Sequence, residues 1–73
     1  MGVIMHIRWE DGFAIGATIA GEEVTISANR EGLISLATIM LDLAKELPGA
    51  HVHLDERNCL EEGSCELIIE RVV

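Results

Sequence analysis

Basic residues are scarce in this chain: 5 Lys or Arg stand against 13 Asp or Glu among 73 residues, a net charge of -8. Such a field repels phosphate backbones, which argues against a nucleic-acid partner and favours a basic one. Proline occurs once and 49% of residues are hydrophobic. That composition can offset the entropy of ordering, so disorder is not expected. The sequence has no run of about 18 apolar residues to cross a membrane. Its start, MGVIMHIRW, lacks the layout of a signal peptide, and His6 stands where a myristoylation pattern needs Ser or Thr. We therefore expect a cytoplasmic protein with no membrane partner, in which Cys59 and Cys65 are free thiols. Gly12, Gly16 and Gly21 do not lead into a helix, so the chain has no phosphate-cradling loop, and it has no internal repeats, low-complexity tracts or linkers.

What is present reads as one domain over residues 1–73. A chain this short buries a thin core, which leaves room for a partner or a homodimer to contribute stability. Val3, Met5, Ile7 and Trp9 alternate with Ile4, His6 and Arg8, as in a strand, and the turn Glu10-Asp11-Gly12 follows. A three-residue loop with Gly12 in the left-handed conformation pairs Trp9 with Phe13, Ile7 with Ile15 and Met5 with Ala17, collecting apolar side chains on one face. A second turn at Ala20-Gly21-Glu22-Glu23 pairs Ile19 with Val24, Thr18 with Thr25 and Ala17 with Ile26.

Asn29 can cap a helix whose periodicity runs from Leu33 to about Glu46, with Glu31 placed favourably near its positive end. Leu47-Pro48-Gly49 stops it. The apolar arc of this helix, from Leu33 through Ile34, Leu36, Ile39, Met40, Leu41 and Leu43 to Leu47, is wider than one sheet face needs. Either the sheet curls around it or a flank meets another chain.

A fourth strand over residues 51–55 points Val52 and Leu54 at the helix and His51, His53 and Asp55 away from it. A fifth carries Cys65, Leu67 and Ile69 on one face and Glu66, Ile68 and Glu70 on the other. The expected fold is α+β and two-layered: a mostly antiparallel five-stranded sheet (βββαββ) with one helix packed on one face, where strand order 3-2-1-5-4 keeps neighbours antiparallel and the connection lengths also allow strand four parallel beside strand one. The second sheet face would be bare, presenting His6, Arg8, Gly16, Thr18, Thr25, His51, His53, Glu66, Ile68 and Glu70.

Several chemistries compete for these residues. His51 and His53, two apart on a strand, can both reach one metal ion, with Asp55, His6 or Glu66 completing the shell, yet a lone H-x-H lacks the second ligand pair of a diagnostic site. Cys59 or Cys65 beside a histidine would make a nucleophile, although Cys65 reads better as core and Cys59 as a loop tether. Glu61, Glu62, Glu66 and Glu70 suit solvated acids better than paired hydrolytic carboxylates. We expect no catalysis and no cofactor.

The segments IRWEDG at 7–12, ISANREGLISLA at 26–37, HVHLDE at 51–56 and LEEGSCELIIE at 60–70 together resemble the immunity protein 32 family of bacterial polymorphic-toxin systems. The chain departs from that family's pattern at Ala28, where glycine is usual. The resemblance implies a cytoplasmic single-domain protein that binds and neutralises a cognate toxin domain, delivered by competing or sibling cells, without catalysis. For an acidic inhibitor facing a basic toxin cleft, the expected partner-binding residues are His51, His53, Glu66 and Glu70 on the open face, with Glu56, Glu61 and Glu62 as an acidic rim.

Overall fold

A computed structural model describes residues 7–73. The elements run β1 (Ile15–Ala20), β2 (Glu23–Ala28), α1 (Arg30–Ala44), β3 (His51–Leu54) and β4 (Leu67–Glu70). β1 pairs antiparallel with β2, joining Ile19 to Val24, Thr18 to Thr25 and Ala17 to Ile26, the register the turn residues demand. β3 pairs antiparallel with β4, setting His51 opposite Glu70 and His53 opposite Ile68.

The α+β class holds, but the five-stranded sheet does not: the four strands form two separate two-stranded sheets. The reason lies at the outer edge of β1, where the first predicted strand was expected. The loop before β4 takes that edge instead, with Glu61 N donating to Ile15 O at 2.8 Å, Cys65 N donating to Ala17 O at 2.8 Å, and Ser64 Oγ accepting from Ala17 N at 3.2 Å. Ile7–Trp9 form no strand and lie against the helix. Arg8 reaches Asp42 at 3.4 Å, Glu10 N donates to Ser35 Oγ at 2.9 Å, and Ile7 and Trp9 pack on the core. The expected pairing of Met5, and the placement of His6, fall outside the described residues. The Glu10–Phe13 turn forms as expected: Gly12 has φ +80°, Phe13 N donates to Glu10 O at 3.1 Å, and the Trp9 and Phe13 rings stack at 4.6 Å.

Asn29 caps α1 and also anchors it. Its Oδ1 accepts from Gly32 N at 2.8 Å and from Ala14 N at 2.9 Å, while its Nδ2 donates to Gly12 O at 2.9 Å. The first turn of the helix thus presses onto the β1–β2 hairpin, and Gly32 is the contact point. A Cβ there would sit 2.5 Å from Ala14 O and 2.8 Å from Ile15 Cγ1. Gly32, Ser35, Leu36, Ile39 and Leu43 form the buried stripe of the helix, at the spacing of one helical face. They meet Ile15 and Ala17 of β1, Val52 and Leu54 of β3, and Leu60 of the loop. Ser35 is fully buried and its hydroxyl is satisfied by donating to Glu31 O at 2.9 Å while accepting from Glu10 N.

The wide apolar arc resolves into unequal flanks. Residues 7–10 lie along the Ser35 and Asp42 side, whereas Leu33, Met40 and Leu41 stay exposed. The helix closes without a basic residue in its last turn, and Arg71 supplies the missing charge from beyond β4. Its Nη1 donates to Glu46 O at 2.6 Å and Ala44 O at 3.3 Å.

Helix propensity alone would make Gly32→Ala stabilising by about 1 kcal/mol. The close approach to β1 predicts the opposite sign, a loss of about 1–3 kcal/mol from overpacking. Urea denaturation of the variant decides between them.

Candidate functional site

Alternation along two short strands builds the outward face of the second hairpin. Val52 and Leu54 turn inward and are buried, so His51 and His53 must point out. Leu67 and Ile69 pack on the core, so Ile68 and Glu70 point out, with Glu66 just ahead of the strand. The result is an apolar centre, Ile68, 52% exposed, directly opposite His53. His51 and His53 stand with ring centroids 5.0 Å apart, edge to face. His51 Nδ1 lies 2.9 Å from Gly49 O, a bond that only a protonated Nδ1 can donate, which leaves Nε2 free. His53 Nδ1 lies 3.4 Å from Glu66 Oε2, and both side chains are about half exposed, so this contact contributes little to stability.

The other expected site residues lie in the loop between β3 and β4. Glu56 lies in the loop and its Oε2 accepts from Gly63 N at 2.8 Å, a staple that shapes the loop. Glu61 lends its backbone to β1, and Glu61 and Glu62 are exposed at the loop's far end. Asp55 belongs to a turn and not to the open face. Its Oδ1 accepts from Arg57 N at 2.9 Å and Asn58 N at 3.2 Å, while Asn58 answers by accepting from Asp55 N at 3.0 Å and donating to His53 O at 2.9 Å. Among the described residues no three His, Cys, Asp or Glu side chains gather as a metal shell requires. None of the described helices is long and apolar enough to cross a membrane.

Both cysteines are free and partly buried against the core. Burial pushes the Cys59 thiol above its ordinary value of 9.0, the Asp55 carboxylate pushes the same way, and a backbone hydrogen bond at Asp55 pulls partly back. A raised value lowers the thiolate fraction near neutrality, the reverse of what a nucleophilic cysteine needs.

The family model described as Immunity protein 32 matches residues 23–72, which is 50 of the 73 residues. The chain belongs to the immunity protein 32 family. It is thus an immunity protein, and membership implies a toxin as its partner. The match spans β2, α1, β3 and β4, including three of the four segments that carry the sequence resemblance, while IRWEDG at 7–12 lies ahead of it. No curated protein and no solved structure matches the chain.

Ile68 is not among the binding residues expected from the sequence. Period-two alternation had already put it on the bare face, and its exposure makes it the apolar centre there. Because these exposed side chains make only weak or local contacts, His51→Ala, Ile68→Ala and Glu70→Ala should each change stability by less than about 0.5 kcal/mol in denaturant titrations. Alkylation of Cys59 should run slower than that of free cysteine at pH 8 and should still be rising with pH where free cysteine has levelled off, as mass spectrometry of timed samples will report.

Proposed function

We propose that this immunity protein neutralises its toxin by covering the toxin's active cleft with the β3–β4 outward face, in the cytoplasm and without chemistry of its own. The observation that carries the reading is the family match over residues 23–72. The choice of face rests on Ile68, an exposed apolar side chain flanked by His51, His53, Glu66 and Glu70, none of which holds the fold together. Binding energy concentrates in a few desolvated anchors, and Ile68 with His53 is the natural pair to supply it. A net charge of -8 favours a basic toxin and fast, salt-sensitive association. Glu61 and Glu62 extend the negative potential along the loop, and Glu56 adds its charge while shaping that loop.

The two contributions separate kinetically. Against the toxin domain encoded beside its gene, Glu66→Lys with Glu70→Lys should slow association about tenfold at low salt and leave dissociation nearly unchanged. Ile68→Asp should instead speed dissociation by more than about tenfold. Both are read by surface-based binding kinetics on the full chain. Wild-type kinetics from both variants would remove this face from the account, and absence of any complex would remove the toxin reading itself.

A further inference from the structure

The backbone bonds of the first hairpin fix which of its groups point outward. Asn29 N donates to Ala14 O at 3.1 Å, so in the observed register the even-numbered residues of β1 exchange hydrogen bonds with the odd-numbered residues of β2. Ile15 and Ala17 accordingly give their outward groups to Glu61, Ser64 and Cys65. By the same alternation, the N–H and C=O groups of Val24, Ile26 and Ala28 point away from β1. No other described strand pairs with β2.

This edge lacks the features that keep strand edges apart. It has no proline, no lysine and no break in its six-residue register, and its one charge, Glu23, is at the end. The face it shares with the core is also uncovered toward the hairpin tip. The helix covers Ile15 and Ala17, but Ile19 and Val24 are each 63% exposed and Ile26 is 39% exposed.

We propose that β2 is a homodimer edge, pairing antiparallel with β2 of a second copy about a twofold axis at Ile26. The occupant is indicated by the strand's complementarity to itself. In this register Ile26 meets its own copy, Val24 meets Ala28 and Thr25 meets Ser27, so apolar faces apolar and polar faces polar. Just beyond the paired residues, the same register brings Glu22 of the turn toward the end where Arg30 opens α1 of the second copy, twice over by symmetry, and within its own chain Arg30 makes only an exposed contact to Glu31 at 3.5 Å. Arg30 is one of only five Lys or Arg residues, so this match is not a by-product of abundant bases. A slip of one residue turns the apolar face of one copy to the polar side of the other. A slip of two sets Glu22 against Ala28 in one direction or Val24 against Arg30 in the other. Only the Ile26-centred register satisfies both the apolar and the charged positions.

Sedimentation equilibrium of the full chain over a concentration series tests the pairing, at about 0.15 M salt so that the like net charges of the two copies are screened beyond about 8 Å. The expected result is a monomer–dimer equilibrium. Val24→Pro removes an N–H that β1 does not use and should weaken the dimer about tenfold or more. Glu22→Arg and Arg30→Glu should each weaken it, while the double variant E22R/R30E restores it, a recovery that a merely structural role would not produce. Glu22 and Arg30 are exposed, so this charge-swap set decides the matter even where the proline variant fails to fold. A monomer at every concentration, or a dimer indifferent to the charge swaps, overturns the proposal. None of His51, His53, Glu66, Ile68 or Glu70 lies on β2, so that outcome leaves the toxin-binding reading standing.

Discussion

The structure depends on the seating of the first turn of α1 against the β1–β2 hairpin. Asn29 joins Gly32 N of the helix to Ala14 N and Gly12 O of the segment that leads into β1, and Gly32 lets the helix approach Ala14 and Ile15 more closely than any side chain permits. From that contact the helix direction follows, and with it the line of Leu36, Ile39 and Leu43 over Ile15 and Ala17. The other end is held by Arg71, whose guanidinium donates to Ala44 O, the last helical carbonyl, and to Glu46 O just beyond the helix. In a chain this small the core is thin, so specific polar contacts at both ends carry a correspondingly large share of what makes one arrangement preferred.

The second constraint is the loop between β3 and β4. Asp55 and Asn58 fold it back, Glu56 staples it, Leu60 plugs the core, and Glu61 to Cys65 run along the free edge of β1. Two small sheets are thereby bound into one unit around a shared core. The polar residues of this region divide into two groups. Asp55, Glu56 and Asn58 have hydrogen-bonding work within the loop, whereas His51, His53, Glu66 and Glu70 make only weak or local contacts around the exposed Ile68. In a member of the immunity protein 32 family, a face with that freedom is a reasonable place for recognition.

Much of the local structure was legible in the sequence. Alternation placed Val52 and Leu54 inside and His51 and His53 outside, the Gly21-Glu22 turn gave the hairpin register, and Asn29 announced the helix start. The sheet topology was not legible, because an edge's backbone groups accept any extended segment and side-chain alternation does not say which one. The irregular run Glu61–Ser64 carries no strand pattern, yet together with Cys65, which was expected to open the fifth strand, it holds the edge of β1 that Ile7 was expected to occupy. The same limit hid Arg71, whose role comes from a helix end more than twenty residues away, and the burial of the polar Ser35, whose hydroxyl is met by Glu10 N from 25 residues earlier. Asp55 continued the outward alternation of the histidines in sequence, and only its turn geometry takes it off that face.

We propose recognition on the outward β3–β4 face, one of several surfaces the fold leaves exposed. The most direct test is an amide nuclear magnetic resonance titration of the labelled chain with its toxin domain. The account predicts that the largest shifts gather at His51, His53, Glu66, Ile68 and Glu70, with smaller ones at Glu61 and Glu62 and little change at Leu36 or Ile39. Shifts confined to the exposed helix flank at Leu33, Met40 and Leu41, with the β3–β4 amides unmoved, would contradict it.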